Sequence, residues 1–274
     1  MHASSEPTFK PIRLVLLCGA LLLLVACGDQ AGSSASNDTP PTEPQTGGTL
    51  TLAIQSDGRT LDPRDATDAG SRRLIENLYS TLMRYSEDFP DVEPDLLAEH
   101  EVSEDFRTFD FKLKEDVTFH SGRPLTAEDV RFSLQRLKDS GASEPLSHLS
   151  NIEVHDDLNL TLHFAEPMSP LLTYLANPQY GIVDREVVEA NDGDITRIDA
   201  GSGPFRLVRW QRNQQCVLER FEDYHEPDRP RLDRLVYQPI QDRTARTVAL
   251  INGQVDLVVD VPLLAVERVE ASSG

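Results

Sequence analysis

Residues 49–274 read as a domain of mixed α/β class, and three observations predict it. Leu50, Leu52 and Ile54 alternate with Thr51, Ala53 and Gln55, the period of a strand. Phe109–Leu137 runs as strand, turn and helix. Leu232–Ile240, a helix opened by Asp242, and Val255–Val259 then repeat the order strand, helix, strand. Alternation of this kind belongs to sheets that carry helices on their faces. With 274 residues, 39% of them hydrophobic, the chain is long enough for a sizeable core.

Taken in order, residues 1–26 read as an export signal. Lys10 and Arg13 precede the apolar run Leu14–Ala26, which is too short to span a bilayer as a helix. Leu24-Val25-Ala26-Cys27 resembles a bacterial lipobox, which makes Cys27 the expected site of lipidation and the membrane a partner through that anchor. Plain secretion is the alternative for the same segment. Residues 27–48, rich in Ser, Pro, Thr and Gly and without apolar periodicity, read as a disordered tether. Leu74, Leu78 and Leu82 predict a helix from about Gly70 to Arg84.

The strand–turn–helix unit is the best-formed stretch. Phe109, Phe111 and Leu113 alternate with charged residues, and Val117 and Phe119 are expected to continue that face. Ser121-Gly122-Arg123-Pro124 is turn chemistry. Thr126 followed by Asp129 is a helix N-cap with an acid at the third position, ahead of Val130, Leu134 and Leu137 on one face. Lys138–Ser150 reads as a polar loop, Leu158–Phe164 as a strand and Leu171–Leu175 as a short helix. Phe205–Trp210 and Cys216–Phe221 read as a hairpin around Arg212-Asn213, and Gly253 as the end of the Asp242 helix.

The net charge of −20, from 26 basic and 46 acidic residues, excludes a nucleic-acid partner held by phosphates. Of three cysteines, only Cys216 falls in the predicted domain, so no disulfide is expected there, and its place in an alternating run makes it a small strand residue. No nucleophile elbow, Ser-x-x-Lys pair or glycine-rich phosphate loop occurs, and no histidines stand at metal-ligand spacing. No catalytic residue, cofactor or metal is therefore predicted. His120, at the turn of the central unit, reads as a structural residue that hydrogen-bonds the turn.

From Phe111 to Ser133 the order F-x-L-K, then V-x-F-H-x-G-x-P-x-T-A-E-D-V-x-F-S, resembles the signature of family 5 extracellular solute-binding proteins. Leu61-Asp62-Pro63, Pro94-Asp95-Leu96-Leu97-Ala98, Gly201-Ser202-Gly203-Pro204-Phe205 and Val255-Asp256 resemble further family steps. Arg220–Tyr224 resembles the step R-N-x-x-Y-[WY], from which Phe221 and His225 depart.

The resemblance implies a two-lobed clamshell of the type II periplasmic-binding class, of which the chain carries the first lobe. Residues 49–64 and about 195–262 would form its core, 65–194 an inserted subdomain, and 263–274 the start of the second lobe. It also implies capture of a peptide or similar small solute, delivered to ABC permease subunits outside the cytoplasmic membrane. Two loops are placed against the cleft, one at Thr67-Asp68-Ala69 and one at Gly201-Ser202-Gly203-Pro204, whose glycines would let main-chain groups approach a ligand. Asp260 would sit at the crossing to the second lobe. As bare sequence, each of these loops reads equally well as a turn. Two other functions stay open: a remnant or interaction lipoprotein using a lone lobe, and a lipoprotein hydrolase.

Overall fold

The computed structural model describes residues 46–272. The export segment, Cys27 and nearly all of the tether read from the sequence lie outside them. In chain order the elements are β1 (Thr49–Ile54), α1 (Ala69–Leu78), β2 (Met83–Tyr85), β3 (Val92–Pro94), β4 (Leu97–Val102) and β5 (Thr108–Leu113). Then come α2 (Ala127–Asp139), α3 (Glu144–Ser147), β6 (Leu149–Val154), β7 (Asn159–Phe164), α4 (Leu171–Tyr174) and α5 (Arg185–Ala190). The chain continues with β8 (Phe205–Gln211), β9 (Gln215–Arg220), β10 (Arg234–Pro239), α6 (Arg243–Ile251), β11 (Leu257–Val258) and α7 (Val266–Ser272).

One sheet has the order β11-β1-β10-β9-β8, and it is mixed. β1 runs parallel to both β10 and β11, with Leu50 beside Leu235 and Leu52 beside Tyr237. β9 is antiparallel to β10 and to β8, so the N-terminal strand sits among the last ones. Ile54 packs on Leu74, Ile75 and Leu78 of α1, while Ala53 packs on Ala249 and Val255 beyond the other face. Strong burial at the end of β1 thus follows from helices on both sides.

The second sheet, β4-β5-β7-β6, is antiparallel throughout. Phe109 pairs with Leu162 and Phe111 with Leu160, and this face packs on Val130, Leu134 and Leu137 of α2. Phe109 and Phe164 add an edge-to-face ring contact, with centroids 5.6 Å apart. The Asp129 carboxylate accepts from the Thr126 N–H (3.0 Å) and hydroxyl (2.9 Å), so α2 starts where the sequence placed its cap.

Several element boundaries differ from the sequence reading. The helix expected over 70–84 ends at Leu78, because Tyr79 turns extended (φ −124°, ψ 139°) and Leu78 O accepts the Gly203 N–H at 2.9 Å. Leu82 is buried all the same, in the core of the second sheet. Val117 and Phe119 are buried in a loop rather than in a continuation of β5. Lys138–Ser150 holds the end of α2, all of α3 and the start of β6. β4 and β6 escaped the sequence reading because each is an edge strand with two exposed polar positions after its first residue or two. Among the described residues no helix is long and apolar enough to cross a membrane.

Candidate functional site

β1, β8, β10 and β11 run in one direction, so their C-terminal ends share an edge of the first sheet. Open α/β sheets take ligands outside that edge. Asp57, just past β1, organises it. Its carboxylate accepts from Trp210 Nε1 at 3.0 Å, from the Asn213 N–H at 2.8 Å and from the Gly58 N–H at 2.9 Å. Arg212 lies over the Trp210 ring, 5.8 Å from its centroid.

Two helices begin at this edge. Asp68 caps α1 by accepting from the Ser71 N–H (2.9 Å) and hydroxyl (2.7 Å), and Ser71 Oγ in turn accepts from the backbone of Arg59 and Thr60. Asp242 caps α6 through the Ala245 N–H at 2.7 Å. Asp260, at φ 71°, follows β11 and accepts from Arg243 at 2.6 Å. The first helical N–H groups are closed by their own carboxylates, and the edge carries Asp57, Asp68, Asp242 and Asp260 together with Arg59, Arg212, Arg243 and Arg246.

The residues predicted from sequence divide between the two edges. Thr67, Asp68, Ala69 and Asp260 lie at the C-terminal edge, with Thr67 and Ala69 exposed. Gly201, Ser202, Gly203 and Pro204 precede β8 and therefore lie at the opposite one. The ten residues of α1 separate the two groups by about 15 Å. The close approach that the glycines permit is to α1 itself. A Cβ on Gly201 would stand 1.8 Å from Leu78 O, and one on Gly203 would stand 2.6 Å from the Leu78 carbonyl carbon. Ser202 is 1% exposed, its carbonyl accepting from Ser80 Oγ at 3.1 Å. Pro204 lines a cleft of about 710 Å³ together with Arg84, Asp95 and Tyr224. That cleft lies at the edge opposite to Asp57.

His120 is tied by hydrogen bonds, though to a different loop from the turn expected from the sequence. Nδ1 meets Asp199 Oδ1 at 2.8 Å and Nε2 meets Gly203 O at 3.0 Å, so the imidazole ties the turn before α2 to the segment before β8. Sequence reading missed Asp57, Trp210 and Asn213. They are up to 156 positions apart, and the one available signal was that Trp210 is the only tryptophan in the chain.

Comparison with known proteins decides the family. Residues 91–274 match the profile of the bacterial extracellular solute-binding proteins, family 5, middle region. The chain belongs to this family. It is similar to the probable D,D-dipeptide-binding periplasmic protein DdpA of Escherichia coli K12, with 30% identity over 226 residues, 78% of this chain and 43% of DdpA. Among solved structures it is similar to the periplasmic binding protein DppA of Helicobacter pylori in complex with the peptide STSA. There identity is 26% and the TM-score 0.75, over 83% of this chain and 49% of DppA. The binding protein AgaA of A. tumefaciens R10, in complex with agropinic acid, gives 31% identity and a TM-score of 0.76, over 80% of this chain and 45% of AgaA. This family 5 chain thus spans less than half the length of these relatives, and its described residues make one lobe of a type II periplasmic-binding fold. The named relatives are binding proteins rather than enzymes.

Proposed function

We propose that this chain supplies one lobe of the substrate-binding component of an ABC importer, capturing a peptide or similar small solute outside the cytoplasmic membrane. The observation that carries the reading is the shared C-terminal edge of β1, β8, β10 and β11. There Asp57 holds Trp210, and Asp68 and Asp260 stand alongside. Thr67, Asp68, Ala69 and Asp260 contribute ligand contacts at that edge, and Gly201–Pro204 hold α1 in place behind it. The resemblance to peptide-bound DppA supports a peptide as ligand.

Solute binding would shift an open–closed equilibrium in which a second lobe closes over this edge, with no covalent step. Permease subunits would then take the solute from the closed form. Acylation at Cys27 would hold the protein at the membrane, with residues 28–48 providing reach.

The test uses Trp210, whose indole N–H is committed to Asp57. Titration with di- to tetrapeptides should give a saturable change in tryptophan emission matched by a calorimetric isotherm. Asp57→Asn should weaken binding at least tenfold with an unchanged circular-dichroism spectrum. Flat emission and no heat across the peptide series would defeat the proposal.

A further inference from the structure

The cleft of about 710 Å³, lined in part by Asp95 and Glu226, borders a cluster that the binding role does not use. Asp95 follows β3, whereas His225 and Glu226 lie in the connection from β9 to β10, 130 positions later. One ligand atom from each comes within 4.8 Å of the others. The side chains of Asp95, His225 and Glu226 are 7%, 3% and 14% exposed. Asp95 Oδ2 accepts the Thr81 N–H at 2.8 Å, which leaves Oδ1 facing His225 Nε2 at 3.2 Å. His225 Nδ1 is buried and has no hydrogen-bond partner. Tyr224, whose ring centroid lies 4.4 Å from that of His225, packs beside it.

We infer that Asp95, His225 and Glu226 form a site for a divalent ion of the zinc–nickel class. One imidazole nitrogen with two carboxylate oxygens is a borderline donor set, suited to such ions rather than to calcium or magnesium. Two ligands bound at about 2.0–2.1 Å in tetrahedral geometry lie about 3.3 Å apart, close to the observed Nε2–Oδ1 separation. The Thr81 N–H supplies the outer hydrogen bond that orients the Asp95 carboxylate. Glu226 is held at Oε1 by Arg84, while Oε2 has Arg229 Nε at 3.8 Å, so Oε2 is the atom that swings in. Arg84 keeps its second partner, Glu93, at 2.8 Å. Three protein ligands leave a coordination position open toward the cleft. The bound ion would also clamp the β9–β10 connection to the segment after β3.

The test is titration of metal-free protein with Zn²⁺ alone by calorimetry, and with Co²⁺ by visible absorption. One equivalent of saturable Zn²⁺ binding and a tetrahedral Co²⁺ spectrum are expected. His225→Phe, which keeps a ring in place, and Glu226→Gln should each weaken Zn²⁺ binding at least tenfold. A triple His148→Gln, His155→Gln, His163→Gln variant should bind as the parent does. If His225→Phe does not fold, Glu226→Gln decides alone. Absence of saturable binding overturns the site, as does a variant within twofold of the parent. The peptide titration reads the opposite edge, so the two proposals fail separately.

Discussion

Asp62 sits between two parts of the fold, and its carboxylate is met on both oxygens by Arg136, at 2.7 and 2.6 Å. The same guanidinium donates to Gly193 O at 2.8 Å, so α2 is tied to the segment after β1 and to the end of α5. Removing one member leaves a desolvated charge. Asp62→Ala should therefore cost about 3–5 kcal/mol in urea unfolding, and Asp62→Leu combined with Arg136→Met distinctly less. Gly201→Ala forces a Cβ into the Leu78 carbonyl, where neither backbone can yield cheaply. Its cost should reach about 3 kcal/mol, read as a lowered Tm. Cys216 is fully buried, and burial pushes its thiol up to about 12. Because the folded state favours the protonated thiol, this contribution to stability is complete below pH 9 and is lost as pH rises toward 12. Cys216 should accordingly resist a thiol reagent at pH 8 until the protein is unfolded, as peptide mapping of the label will show.

At the scale of elements, α1 links the two edges of the first sheet. Its N-terminal cap faces the proposed ligand and its C-terminal carbonyl receives the Gly203 N–H. Asp68→Ala removes the Ser71 N–H acceptor and releases the Ser71 hydroxyl that positions Arg59 and Thr60. A loss of about 1–2 kcal/mol in thermal unfolding is expected, together with weaker peptide binding. α2 is anchored differently. Arg123 pairs with Asp129 inside its cap and with Asp184 at the cap of α5, so one guanidinium joins two helix starts.

For the whole molecule, the lobe leaves apolar surface uncovered. Leu263 is 90% and Leu264 99% exposed, on the short helical turn before α7. Two adjacent leucines in water favour contact with another apolar surface. Sedimentation of residues 46–272 should show concentration-dependent association. Leu263→Ser with Leu264→Ser should reduce it while changing unfolding free energy by less than about 0.5 kcal/mol. Equal association in parent and variant would place the contact elsewhere.

What the chain determined by itself was local. Alternation marked β1, β5, β7, β8, β9 and β10, and polar caps marked the starts of α2 and α6, because each signal needs only neighbours three or four positions away. The order of residues from Phe111 to Ser133 carried the family as well. Tertiary structure decided which edge each loop occupies. Parallel pairing of β1 with β10 and β11 sends Asp57, Asp68 and Asp260 to one edge and Gly201–Pro204 to the other, and spacing along the chain holds no record of strand direction. It also brought Trp210 to Asp57 and His225 to Asp95, across 153 and 130 positions. Contacts of that range form only when the sheets assemble, which is why the strands were legible in advance and the two sites were not.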